Sequence, residues 1–389
     1  MATFGTPEPA PPRAPRRRRG RLFAGIAIGV VLLAAVVGTV TAIGMAGAGT
    51  DAAPAAAATP AASPHATPTP TPTPRTPEEQ LLATTTDPAA CAVSFAGDGI
   101  TDAPVLQTQG TLYAGLPIPS REGQVFAGWY ATPADAAALA IPGRVNGSEP
   151  VACVDRHVTL HAAWVSPEQN AAEAARIPIL MYHQFTAKPE GESGWLRGNY
   201  TYIGDFDAHL AHIASGGFYL PTWDELSAFI DGRLFLPNHS VIVTDDDADQ
   251  SWFDLAAPVV STYRVLTTSF MITAYRQDPA PNPYVLRRSH THDMHQAGDN
   301  GKGRMVNWSA DQIAADMEAS AAVLGVKEIM AYPYGHYNDT AKQGLRQAGW
   351  EMARTIEPGY VTIGTDKLAL PTVRINYGMG VDALIGLIG

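Results

Sequence analysis

From Ile177 onward, short apolar runs of the strand type alternate with longer helical ones, and that alternation leaves the chain few architectures. The runs are Ile177 to Tyr182, Phe206 to Ala214, Trp223 to Ile230, Val241 to Val243, Phe253 to Tyr263, Val265 to Ile272, Ile313 to Leu324, Glu328 to Tyr332 and Thr340 to Ala348. Strands alternating with helices argue for an α/β fold with a parallel sheet or barrel. In such folds reactive residues gather at the carboxyl ends of the strands. One strand, Val241-Ile242-Val243, runs directly into "TDDDAD", Thr244 to Asp249. Adjacent carboxylates repel, and one tends to hold its proton unless a cation sits among them. The segment therefore calls for a metal, a proton-transfer role, or both.

Two further stretches concentrate reactive side chains. "SHTHDMH", Ser289 to His295, places three of the chain's eleven histidines within six residues, and "AYPYG", Ala331 to Gly335, follows a strand with a Pro-Tyr-Gly turn. A carboxylate with two neutral imidazoles is a common catalytic zinc shell that leaves positions for water and substrate. The plainer readings are a helix cap or solvated edge for the acids and surface positions for the histidines. On spacing, His290 and His292 share one face of a strand, and His292 and His295 share one face of a helix. His290 and His295, five apart, need a loop between them, so spacing alone favours His292.

The N-terminal third has a different composition. Six arginines (Arg13, Arg16 to Arg19 and Arg21) stand against Glu8 in residues 1–21, and an uncharged run of residues, 22–48, follows. That length crosses a bilayer as a helix, and the basic flank predicts a cytoplasmic N-terminus with an extracellular C-terminal body. The alternative is a secreted protein, cleaved near the small residues Ala46 to Ala53. The chain carries 26 Lys and Arg and 37 Asp and Glu. Without the arginines and Glu8 of the tail, 20 and 36 remain, a body near −16 that disfavours nucleic acid as a partner. Residues 49–89 are dominated by Ala, Pro and Thr, including "TPTPTPTPRTP", and are expected to be an extended stalk. Cys91 and Cys153 both fall outside the membrane on this topology, where an oxidising exterior favours a disulfide.

Residues 90–166 hold short alternating stretches broken by Gly and Pro, the signature of a small β-rich module. "FAGWY", Phe126 to Tyr130, and "VTLHAAWV", Val158 to Val165, resemble about one internalin-type B repeat, which implies a β-grasp-like module. Trp129 and Trp164 read as core anchors rather than a sugar platform, because large aromatics dominate small cores.

"IPILMYH", "LPNHSVIVTDDDAD", "SHTHDMH" and "AYPYGHYN" occur in the order and approximate spacing of the polysaccharide deacetylase family, the NodB-homology domain. The resemblance covers residues 176–389 and implies a distorted (β/α) barrel. It implies Asp246 as general base and Asp247 as metal ligand, with Asp245 in place of the family's Phe and Ala248 in place of its Gly. It also implies His290 and His295 as the imidazole ligands, with Met294 at the usual place of the second His and His292 as fallback. Tyr334 is the expected oxyanion donor through its backbone N–H. The family's bracing Arg is Ala331 here, and its final His is absent from "LALPTVRINYG", which leaves His183 as the candidate general acid.

The implied activity is divalent-metal-dependent, zinc-type removal of N-acetyl groups from an acetylated polysaccharide of the envelope. Peptidoglycan is the first expectation and another N-acetylglucosamine polymer the second. O-acetyl ester hydrolysis, and a degenerate domain that only binds glycan, are the alternatives.

Overall fold

Residues 77–82 depart from the stalk expected there. Thr76 and Glu79 form a reciprocal capping box with Pro77 at the first helical position, and α1 (Pro77–Leu82) follows. The computed structural model describes residues 74–275 and 281–389, which belong to one unit, Thr71–Gly389. The expected tail (1–21) and membrane helix (22–48), with most of the stalk, lie outside the described residues. Among the described residues no helix is long and apolar enough to cross a membrane.

Ser94 on β1 (Ala90–Ala96) donates its hydroxyl to Glu78 at 2.6 Å, tying α1 to a five-stranded sheet. The sheet runs β2 (Val105–Thr108), β1, β5 (His157–Val165), β3 (Val125–Tyr130), β4 (Arg144–Val145), with α2 (Pro133–Ala138) linking β3 to β4. Cys91 and Cys153 are bonded, their Cα atoms 6.2 Å apart, which restricts the unfolded chain. Trp129 is buried and donates Nε1–H to the Pro117 carbonyl at 2.7 Å. Phe126 meets both Trp129 and Trp164 edge-on, so both tryptophans serve this core.

After α3 (Pro167–Glu173), seven parallel strands pair in a closed ring: β6 (Ile179–Tyr182), β9 (Ile242–Asp247), β10 (Thr267–Met271), β11 (Val285–Ser289), β12 (Ile329–Ala331), β13 (Met352–Pro358) and β14 (Leu370–Arg374), which returns to β6. A short parallel pair, β7 (Gln184–Thr186) and β8 (Tyr200–Tyr202), stands beyond the end of β6. Around the ring lie α4 (Ile203–Ser215), α5 (Trp223–Ile230), α6 (Ala257–Tyr263), α7 (Ala310–Leu324), α8 (Asp339–Gln347) and α9 (Val381–Ile388). Alternation along β9 sets its two faces. Val243 packs outward with Phe206, Trp252 and Leu384, whereas Ile242 packs inward with Ile179, Phe270, Ile329, Met352 and Leu370.

One apolar cluster joins that barrel interior to the β-module. It runs from Ile179, Ile242, Ile329 and Leu370 at the strand starts, through Trp223, Leu226 and Phe229 of α5, to Phe126, Trp129 and Leu160 of the module. Backbone pairing reinforces it, because Phe126 N–H bonds the Arg233 carbonyl at 3.3 Å and Phe235 N–H bonds the Phe126 carbonyl at 2.8 Å. Arg144, almost wholly buried, crosses the same boundary. Its guanidinium lies 3.8 Å from Glu225, 4.2 Å over the Tyr219 ring, and donates to the Phe235 carbonyl at 2.9 Å. Asn146 donates to Glu225 at 2.6 Å. Thus 90–166 and 176–389, separate domains on the sequence, share a core, with the module acting as the floor of the barrel.

Candidate active site

The opposite ends of the strands, where the chain enters loops, carry the acids and histidines. β9 delivers Thr244, Asp245, Asp246 and Asp247 in succession. Thr244 and Asp246 share the inward face with Ile242, while Asp245 points outward with Val243. Asp247, Ala248, Thr291 and Tyr334 all have φ in the left-handed region, at 74°, 48°, 73° and 58°. Each such turn costs a non-glycine residue about 1–2 kcal/mol, and such strain concentrates where function needs a sharp change of direction. Ala248, at the family's Gly position, takes the conformation a Gly would adopt at that modest cost.

Asp247, His290 and His295 converge, with one ligand atom from each lying within 4.8 Å of the others. Asp247 Oδ1 is 3.3 Å from His290 Nε2 and 3.2 Å from His295 Nε2, yet it is buried and no N–H aims at it with hydrogen-bond geometry. Burial works to raise the Asp247 carboxyl, but the two imidazoles outweigh it and hold the group well below the usual carboxylate range. For His290, burial works downward and the neighbouring Asp247 carboxylate reverses it, so the imidazole is raised. His290 Nδ1 must donate to the Ala331 carbonyl, 2.9 Å away, so in the neutral ring Nε2 carries the lone pair that a cation would use. A buried unpaired carboxylate oxygen facing two imidazole nitrogens is the donor set of a divalent-cation site, and the residues fit that group.

The third histidine is directed elsewhere. His292 Nδ1 pairs with Thr273 Oγ1 at 3.0 Å, and its backbone N–H, with that of Asp293, is held by the two oxygens of Asp316 at 2.8 and 2.9 Å. Met294 is fully buried beside Met305, Met330 and Tyr332. That buried methionine sets the register of the loop, so the following residue, His295, turns back to the cluster. Spacing favoured His292 because strand or helix geometry was assumed where a left-handed turn at Thr291 intervenes. Asp316 acts on both histidine positions through the backbone of this loop. Replacing Asp316 by Ala should weaken divalent-metal affinity about 10- to 100-fold, as read by competition against a chromogenic chelator. Unchanged affinity would show that the loop keeps its shape unaided.

Asp246 is buried and held from two sides. His183 Nε2 stands 3.5 Å from Oδ2, and Arg354 Nη2 donates to Oδ1. Arg354 is fully buried on β13, in register with Ala331 of β12. The guanidinium that the resemblance places at 331 is therefore supplied from the paired position of the next strand. Reasoning from sequence missed Arg354, although an arginine amid the buried run "MARTI" was a visible signal, since unpaired arginines are rarely buried. Its Nη1 also reaches Met181 Sδ at 3.0 Å and the Thr355 carbonyl at 3.2 Å.

His183 is mostly buried. Burial lowers its imidazole, and the carboxylates of Asp246 and Asp247 partly oppose that shift. Tyr334 stands on the turn after β12 with its half-exposed ring 4.4 Å from that of His295. Of the acids without a role on the sequence, Asp245 accepts from Ser269 Oγ at 3.1 Å, and burial, then the charge of Asp246, raises it well above the carboxylate range. Asp249 accepts from Ser251 N–H at 2.6 Å and from its hydroxyl, and Ser251 in turn holds the Phe185 N–H at 2.8 Å. Asp245 is thus a buried group that accepts a hydrogen bond from the neighbouring strand, and Asp249 a turn cap beside β7.

Residues 236–353 match the family model described as Polysaccharide deacetylase. A poly-beta-1,6-N-acetyl-D-glucosamine N-deacetylase of Staphylococcus aureus is 26% identical over 161 residues, 36% of this chain and 56% of its own length. YxkH of Bacillus subtilis, named as a candidate polysaccharide deacetylase, is 24% identical over 235 residues, 57% of this chain and 78% of its own. Among solved structures, the Streptococcus pyogenes deacetylase PplD in complex with acetate aligns with a TM-score of 0.47 at 22% identity, covering 56% of this chain and 99% of its own. The stretch 236–353 is thus similar to polysaccharide deacetylases, and the chain spans about half the length of the S. aureus relative it matches.

Proposed function

We propose that the chain removes N-acetyl groups from an N-acetylglucosamine polymer of the cell envelope, with a divalent cation, zinc first among candidates, held by Asp247, His290 and His295. The observation that carries this reading is the pairing of that triad with Asp246, the adjacent carboxylate, which faces the barrel interior and is braced by Arg354. Such a cation, when bound, supplies a Lewis acid for the acetamide oxygen and lowers the pKa of a bound water.

Asp246 takes a proton from the attacking water as its oxygen bonds to the acetamide carbon. The Tyr334 backbone N–H is the donor assigned to the oxygen that gains charge. Cleavage of the C–N bond then needs a proton on the departing nitrogen, and His183 is the group assigned to deliver it. Burial lowers the His183 imidazole, and the Asp246 carboxylate beside it opposes that shift. Acetate and a free amino sugar result.

The polymer named for the S. aureus relative makes poly-β-1,6-N-acetylglucosamine the first substrate to test, ahead of peptidoglycan. Anchoring through residues 22–48 and an internalin-type B repeat character for the β-module complete the proposal. Acetate release should be measured on both glycans and on O-acetylated xylan with zinc-loaded full chain. His183→Ala is expected to lower kcat on the active glycan about 10²- to 10⁴-fold. Release from xylan alone would make the protein an ester hydrolase, and equal rates for His183→Ala and wild type would remove His183 from the reaction.

A further inference from the structure

Trp195 is 91% exposed, although tryptophan has more apolar surface to bury than any other side chain. It opens the turn Trp195–Asn199, in the segment that links β7 to β8. That segment is firmly braced. Arg374 Nη2 donates to Asn199 Oδ1 at 2.6 Å, Tyr377 OH donates to the Pro189 carbonyl at 2.6 Å, and Arg197 lies 4.5 Å over the Tyr377 ring while donating to the Glu190 carbonyl at 2.8 Å. Gly191, in the left-handed region at φ 78°, lies so close to the Tyr377 ring that an added Cβ would sit 2.5 Å from it. None of these contacts uses the indole.

The braces also locate the loop. Arg374 pairs with Met181, two residues before His183, and Tyr200, next to Asn199, pairs with Gln184, the residue after His183. The loop that carries Trp195 is therefore anchored beside the proposed acid. Half-exposed Tyr334 stands on the rim after β12, three steps around the seven-strand ring from β6. An exposed aromatic on each side of the triad suits an extended chain lying across the mouth.

We propose that Trp195 is a stacking platform for one pyranose ring of the polysaccharide, at a subsite next to the sugar whose acetamide is cleaved. The proposal rests on the deacetylase reading and extends it to polymer recognition. A pyranose offers a face of C–H groups that covers an indole ring, and its neutral charge suits a strongly acidic body. Such a contact acts on binding of longer substrates and not on bond cleavage, which makes Trp195 a substrate-positioning residue.

The test compares wild type, Trp195→Ala and Trp195→Tyr as full chains on a β-1,6-linked N-acetylglucosamine hexamer, on the monosaccharide and on p-nitrophenyl acetate. Trp195→Ala should raise KM for the hexamer about 5- to 10-fold, with kcat and the rates on both small substrates unchanged and KM recovered in Trp195→Tyr. Equal KM for wild type and Trp195→Ala, with the wild type active, would overturn this proposal and leave the deacetylase reading standing. If the wild type releases acetate from none of the three and from peptidoglycan neither, that reading falls. Tryptophan fluorescence then decides the platform: hexamer-induced quenching lost in Trp195→Ala sustains it as a glycan-binding site, and no quenching ends it.

Discussion

Asp247→Ala should abolish stoichiometric divalent-metal binding and reduce acetate release by about 10³-fold or more, since Lewis-acid assistance of acyl transfer amounts to several kcal/mol. Asp247 Oδ1 is the buried atom on which both imidazoles converge, and it has no other partner. Without it His290 and His295 remain as two nitrogen ligands, a set that holds zinc poorly. The substitution removes a charge from a mostly buried position and leaves the strand pairing intact, so the melting temperature is not expected to fall with activity. Asp246→Asn is the matching control. It should retain the metal while losing about 10²- to 10⁴-fold in kcat, because its carboxylate is assigned to the proton. Metal analysis after gel filtration, beside acetate release, separates the two. Full metal content in Asp247→Ala would remove Asp247 from the site.

Removing residues 1–175, and with them the β-module, should leave the remaining 176–389 fragment insoluble or without a cooperative melting transition. The fragment would lose Phe126, Trp129 and Leu160 from the cluster they share with Leu226 and Phe229 of α5 and would expose what they cover. Each fully buried large apolar side chain contributes about 1.5–3 kcal/mol, so uncovering several rivals a whole domain's ~5–15 kcal/mol. Glu225 would also lose Arg144 and Asn146 and keep a buried carboxylate, which burial already pushes upward. In the intact chain, Arg144→Ala isolates that loss and should cost about 3–5 kcal/mol, the penalty for leaving one partner of a buried pair. Calorimetry on fragment, variant and parent checks both expectations. A soluble fragment melting like the parent would show that the module merely leans on the barrel.

The metal triad and the module interface lie at opposite ends of the barrel, and the two ends are unequally legible in the sequence. At the strand tails the chemistry was legible because residue type carries it: three acids behind a valine-rich strand and three histidines within six residues have few other uses. The elements were legible too, because periodicity is local. Trp223 to Ile230 and Ile313 to Leu324 lie within helices, and Val265 to Ile272 frames a strand. The long run Phe253 to Tyr263 is less regular than its pattern, since Trp252–Ala256 winds as a π-turn before α6, where Pro258 supplies no N–H. At the strand starts the shared floor was illegible. Phe126 and Leu234 are 108 positions apart, and alternation within the module reports a buried face without naming what covers it.

Residue order alone thus determined the alternating α/β pattern of the C-terminal body, the acid and histidine segments at its strand ends, and the compositional break at the N-terminus. Each of these is written in neighbouring residues. Tertiary structure decided that His295 rather than His292 faces Asp247, that Arg354 braces Asp246 from the strand beside Ala331, and that the β-module closes the barrel. Those outcomes depend on strand register, on a left-handed turn at Thr291 and on surfaces meeting across the chain, and such distances exist only once the backbone has closed on itself.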